Sequence, residues 1–341
     1  MKNIIFFVDA KKSASGGAKI IYQYSSYINS LTDFTSSIVH LEKKKTYKWL
    51  NSFKKKINNK DQKNESGWQL KELKVKKGFR YTCFNQQIKI KENLKINSKE
   101  DFIILPEIFA HFAKDFLIEK KIPYSIFVQN GYSIFPTNNI KKLNIAYQKA
   151  KFILSYSKDI RECISLAYPE IKKKIIDVNY AIDSNKFNIK AKKENLITYM
   201  PRKLPKHSEL VISFLSNSLP KKWKIKAINN LTEDEVYKTL ERSKIFLAFS
   251  DLEGLPLPPI EAAIAGNKVI GYTGEGGKEY WKEPIFTEIK TSEIKLFCQT
   301  IIKKIKIKKF INKTHYQRKQ LFNKFSTLNE RKSIRKFLKK I

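Results

Sequence analysis

The chain has 341 residues, 42% hydrophobic and 13% aromatic, which is long enough for two domains with cores of their own and too apolar for a disordered chain. Its 68 Lys and Arg against 32 Asp and Glu leave a formal charge of +36, a surface that attracts anionic membranes, phosphate-bearing substrates or other polyanions. Most of that charge is Lys, where base readout favours Arg, and no nucleic-acid-binding signature accompanies it, so nucleic acid is not an expected partner. An AT-rich coding composition, which enriches Lys, Asn and Ile on any solvated surface, accounts for part of the same excess.

Cys83, Cys163 and Cys298 stand far apart without a CxxC, as suits small apolar residues in a reducing compartment. The apolar start is too short for a signal peptide and meets Asp9, Lys11 and Lys12 at once. No run of about 18 apolar residues follows anywhere, so the chain is expected in the cytoplasm without a membrane-spanning helix.

Residues 3–9, NIIFFVD, read as a buried parallel strand. Gly16 and Gly17 precede an amphipathic helix with Ile20, Ile21, Tyr24, Tyr27, Ile28 and Leu31 on one face. Glycines at a strand-to-helix turn let backbone amides approach a ligand, and the helix dipole favours an anion there. A plain turn explains the pair equally well, because neither a dinucleotide fingerprint nor a P-loop lysine surrounds it. Residues 35–40 form a second strand, and residues 43–64 read as an exposed basic loop or lid. The run 101–106, DFIILP, is a further buried strand, and a helix follows from Glu107 to about residue 119. Strand 124–128 ends in Gln129-Asn130-Gly131-Tyr132, a polar tip at the strand edge where open α/β sheets gather ligands. Residues 150–157, 158–167 and 175–180 continue the strand and helix alternation. His40, His111, His207 and His315 read as core or surface residues.

A domain boundary falls at about 183–195. The strand from residue 195 ends in Pro201-Arg202-Lys203, with Lys206 close behind, and a helix follows at 209–216. These cations are either surface charges of a basic chain or a phosphate-neutralising cluster. Thr232 and Glu235 form a capping box for a helix at 233–243. The most informative stretch is 244–281. Apolar strands at 245–249 and 269–272 bracket a crossover; Pro258 and Pro259 suit a first helical turn, and Gly266 suits a left-handed C-cap. The helix start offers a partial positive charge to the loop holding Gly254, Leu255 and Pro256, which makes that loop a natural anion site. Glu253 and Glu261 flank it. A second glycine loop carries Gly274, Gly276, Gly277 and Glu279, and after residue 292 the pattern is helical and increasingly Lys-rich. A simpler reading makes Glu253 a solvated loop charge and Glu261 a residue that favours a helix N-terminus.

The combination of Glu253-Gly254, the proline turn and Glu261-Ala262 before a small-residue helix resembles the donor-binding signature of retaining glycosyltransferases of the two-domain GT-B type, family four and its relatives. The resemblance implies two doubly wound Rossmann-like α/β domains facing a central cleft: an acceptor-side domain over 1–185, a nucleotide-sugar donor domain over 186–310, and a basic C-terminal segment over 311–341 packing back on the first. It implies that Glu253 contacts the donor sugar, that Glu261 holds the ribose, and that Arg202 with Lys203 or Lys206 neutralises the diphosphate. Gly16 and Gly17 would face the donor diphosphate or the acceptor. Gln129 and Asn130 stand where relatives carry a histidine, and with Gly276, Gly277 and Glu279 they become candidate sugar or acceptor contacts. The implied activity is metal-independent transfer, with retention, from a UDP- or GDP-linked sugar to a glycan or lipid-linked acceptor in surface polysaccharide synthesis, with no cofactor and a peripheral contact at the inner face of an anionic membrane. A basic, non-catalytic membrane- or polyanion-binding protein and a sugar-nucleotide epimerase on the same fold are the alternatives.

Overall fold

The computed structural model describes residues 2–11, 15–43, 73–183, 186–188, 191–306 and 313–341. The expected basic lid lies, from residue 44 onward, outside them. The chain divides into two compact units, one made of residues 1–155, 160–177 and 337–341, the other of residues 156–159 and 178–336.

The first unit is built on a seven-stranded sheet of β1 (Lys2–Asp9), β2 (Phe34–Lys43), β3 (Leu73–Val75), β4 (Asp101–Pro106), β5 (Tyr124–Val128), β6 (Phe152–Ser155) and β7 (Ile175–Asp177). Their spatial order is β3-β2-β1-β4-β5-β6-β7, parallel throughout except for β3 against β2. Every residue of β4 and β5 is buried, which is why these strands read as continuous apolar runs rather than alternating ones. Strand order reverses between β1 and β4, and ligands of open α/β sheets gather at the carboxyl ends beside such a reversal. Helix α1 (Gly16–Ile28) follows β1, α2 (Ile140–Lys149) follows β5, and α3 (Lys158–Ala167) follows β6. Gly16 and Gly17 form the first turn of α1 instead of a loop before it. Ser15 takes the cap position, its Oγ accepting from the Ala18 N–H at 3.2 Å, a role serine fills better than glycine. The helix expected from Glu107 is a 3-10 turn (Glu107–Phe112) running into a wider π turn (Ala113–Ile118).

The second unit holds a five-stranded parallel sheet of β8 (Leu196–Tyr199), β9 (Lys224–Ala227), β10 (Ile245–Ser250), β11 (Lys268–Thr273) and β12 (Phe286–Glu288) in the order β12-β11-β10-β8-β9. Here the reversal falls between β8 and β10. Helices α4 (Pro205–Leu215), α5 (Glu233–Arg242), α6 (Leu257–Ile264), the single turn α7 (Gly274–Gly277), α8 (Ile294–Ile305), α9 (Lys313–Lys324) and α10 (Thr327–Leu338) complete it. Ile197, Leu247, Phe249, Ile270 and Tyr272 of the sheet pack with Val211 of α4 and Phe297 and Ile301 of α8. The capping box forms as the sequence suggests, with Thr232 and Glu235 satisfying each other's main-chain N–H groups.

The segment 311–341 is divided between the two units. Its apolar anchors Leu321 and Phe325 are buried within the second unit, where the Phe325 ring lies 6.5 Å from that of Tyr280, and Arg318 of α9 donates to the Ala263 carbonyl of α6 at 3.2 Å. Only residues 337–341 group with the first unit, the Phe337 ring meeting those of Phe102 and Phe152.

Candidate functional site

The β10–α6–β11 crossover forms as its residues dictate. Helix α6 runs eight residues, with Pro258 and Pro259 in its first turn. A proline there forfeits no hydrogen bond, but it also removes an N–H that a ligand could have used. Anion attraction at this end therefore comes from the helix dipole more than from a row of amides. The far end closes in a Schellman motif: Gly266, at φ +91, donates to the Ala263 carbonyl and Asn267 to that of Ala262. Two cations complete this end, Lys193 donating to the Ala265 and Leu240 carbonyls and Arg318 to Ala263. Burial, with the Arg318 charge beside it, pushes the Lys193 ammonium down to about 7.

The loop between β10 and α6 is held from three directions. Gly276 donates to the Glu253 carbonyl at 2.9 Å, Ser157 Oγ to Gly254 at 2.6 Å, and Tyr280 Oη to Pro256 at 2.7 Å. Leu255 is buried beneath it. Gly276 is where a glycine is required, since a Cβ would stand 1.9 Å from the Gly254 carbonyl oxygen. The second glycine loop is thus pressed against the first, and the close approach read from Gly276 and Gly277 is made to protein backbone and to the Pro256 ring. Glu279 is likewise occupied, accepting from the Lys158 N–H and pairing with Lys324, each at 3.0 Å. Of these three candidate sugar contacts, Gly276 bonds to the loop that carries Glu253, Gly277 lies against its Pro256 ring, and Glu279 ties Lys324 to the main chain at Lys158.

Across the sheet reversal, the turn after β8 brings Lys203 Nζ to 2.8 Å from Glu253 Oε1, uniting two of the residues singled out from the sequence. Both side chains are partly solvated, so the pair is exchangeable rather than structural. Arg202 is exposed on the same turn and Lys206 is exposed at the start of α4. Leu204 is left-handed, at φ 43, immediately before the prolyl start of α4, a conformation that costs a branched residue about 1–2 kcal/mol. His207 lies in the first turn of α4, its Nδ1 3.2 Å from the Tyr272 hydroxyl near the end of β11. Glu261 is 8% exposed in the body of α6.

In the first unit, Gln129 Nε2 donates to the Gly17 carbonyl at 2.9 Å, so the glycine turn and the polar strand tip meet. A Cβ on Gly17 would fall 2.1 Å from Gln129 Oε1, which explains the glycine. The Asn130 side chain accepts from the Tyr132 N–H and shapes the turn. Glu107 was legible only as the residue after a strand. It is 4% exposed and accepts from the Gln129 and Asn130 main-chain N–H groups at 2.9 and 3.1 Å. Burial pushes its carboxyl up to about 7 against the opposing pull of those amides.

Two sheets of these strand orders, parallel but for β3 and each with polar residues at a carboxyl edge, match the GT-B fold. No protein-family model matches the chain, and no curated protein matches it by sequence. Solved structures do. HepE of Anabaena in complex with UDP is similar over 100% of both chains, at 10% identity and a TM-score of 0.66. TarM of S. aureus, in a complex that includes UDP, is similar over 100% of this chain and 99% of its own, at 12% identity and a TM-score of 0.64. A glycosyltransferase from Rickettsia africae is similar over 99% of this chain and 97% of its own, at 14% identity and a TM-score of 0.60. Identities this low establish the fold.

Proposed function

We propose that the protein is a nucleotide-sugar-dependent glycosyltransferase that moves a sugar, with retention and without a metal, to a glycan or lipid-linked acceptor in surface polysaccharide synthesis. The observation that carries this reading is the Lys203–Glu253 pair at the sheet reversal of the second unit, beside the start of α6. A diphosphate placed there meets Arg202, Lys203 and the positive end of the α6 dipole. These charges act where negative charge develops as the nucleoside diphosphate leaves, which is where stabilisation accelerates the step. Lys203 is the better partner for Arg202 than Lys206, because it already reaches Glu253. As the diphosphate takes up Lys203, Glu253 is released to accept from the sugar hydroxyls, and Glu261 from the ribose. Solved relatives of the same fold hold UDP or UDP-glucose, which supports a nucleotide-sugar donor.

The expected acceptor edge is the carboxyl side of the first sheet, where Gly17 and Gln129 meet. The +36 charge supports a peripheral contact with an anionic membrane from the cytoplasmic side. A melting screen against UDP-, GDP-, ADP- and dTDP-sugars tests the donor, since a ligand bound only to the folded chain raises its midpoint. One nucleotide class should stabilise wild type and be hydrolysed or transferred. No stabilisation by any of them overturns the donor site, and binding without transfer or hydrolysis makes the chain a binding protein.

A further inference from the structure

We propose that Glu107 is a positioning residue that sets the acceptor-facing edge of the first unit, clasping the turn after β5 through two main-chain amides and, through Gln129, the glycine turn of α1. The proposal rests on the reading that this edge receives the acceptor. Its geometry is independent of that reading. Glu107 follows β4 directly, on one side of the sheet reversal, and its two oxygens take one N–H each, from Gln129 and Asn130. Gln129, so fixed, sends its side chain to the Gly17 carbonyl. Three strand-end turns, after β4, after β5 and at the start of α1, are thereby tied to one carboxyl group. Gly131, the next residue, leaves no room for a Cβ against Cys163, whose Sγ would lie 2.7 Å away, so the turn is also closed from behind.

The clasp depends on ionisation. A carboxylate offers an oxygen to each amide; a protonated carboxyl presents one hydroxyl that must donate, so one of the two N–H groups loses its acceptor. The groups packed around Glu107 do not offset this charge. His111 on its own segment is pushed down to about 4 by burial, and the Lys142–Asp115 ion pair stands beside that imidazole. Tyr147 of α2 has a fully buried hydroxyl whose ionisation is pushed far up, in part by Glu107 itself. β4 and β5 bring Asp101 and Tyr124 only at their opposite ends. With its carboxyl near 7, Glu107 changes state across the neutral range.

Hydrogen–deuterium exchange on the full chain tests this without any substrate. Corrected for intrinsic rate, protection of the Gln129 and Asn130 amides in wild type should fall about fivefold or more as pH drops from about 8 to about 5.5. In E107Q it should be low and independent of pH, while the β5 amides stay protected. Q129A, which removes only the donor to the Gly17 carbonyl, should keep the protection and its pH dependence at 129–130, which decides the matter even if E107Q does not fold. A wild-type pH series that is flat at these amides, or wild-type protection retained in E107Q, overturns the clasp. Failure of the transferase reading would leave the exchange result standing and remove only its purpose.

Discussion

Glu253 and Glu107 occupy matching places in the two units, each just beyond a central strand and beside the reversal of its sheet, yet they are used in opposite ways. Glu253 is partly solvated and faces a lysine side chain, a partner that can leave. Glu107 is sealed and faces main-chain amides, partners that cannot. A carboxylate meant to exchange partners during a cycle needs the first environment, and one meant to hold a surface in shape needs the second. The fold supplies the place, and the immediate neighbours decide the use.

The sharpest way to break this contrast is E253Q, expected to lower donor turnover by about 10²–10³-fold with the melting temperature unchanged, as measured by steady-state kinetics and calorimetry. Comparable turnover in E253Q would make Glu253 a spectator. Next comes pH. The native Glu107 carboxyl takes up its proton near 7 and the unfolded one near 4.5, so between these values it binds more protons in the native state and its contribution to stability falls as pH rises. Urea unfolding of wild type against E107Q at either end of that window isolates this contribution, about 3 kcal/mol of relative loss in wild type. His40 and His111, pushed down to about 4 by burial, raise stability over the same range in both proteins. The Glu107 contribution to stability and the local clasp thus move in opposite directions with pH. Gly276→Ala places a methyl against the Gly254 carbonyl and should cost about 2 kcal/mol in the same assay while weakening nucleotide binding. The smallest effect separates two lysines: K203M should reduce kcat/KM about tenfold, whereas K206M should stay within about twofold of wild type.

Much of the second unit was legible because its signals are local. The prolines, Gly266 and the apolar runs of 245–249 and 269–272 each state a backbone requirement on their own, and all agree with the β10–α6–β11 crossover that forms. What the sequence left open depends on contacts distant along the chain. Nothing near Glu107 announces that it will reach Gln129, and nothing near Gly276 says that the backbone crowding it belongs to Gly254 and not to a ligand. The lysine ambiguity is of the same kind, since spacing after β8 does not say which side chain faces β10. So is the packing of the tail, because Leu321 and Phe325 look like anchors for any apolar surface, and only the packed structure shows which surface takes them.

The discontinuity of the two units carries a consequence for how the chain is made. The first unit contains residues 337–341 along with 1–155 and 160–177, and Phe337 fills a place beside Phe102 and Phe152. During vectorial synthesis the seven-stranded sheet can pair as soon as β7 emerges, but that aromatic seat stays empty until the final turn of α10 is translated. Folding of the amino-terminal half is therefore completed last, after the half that follows it in sequence. A truncation before Phe337 should harm the first unit more than the second, and expression of either unit from a single cut in the chain should yield an incomplete core.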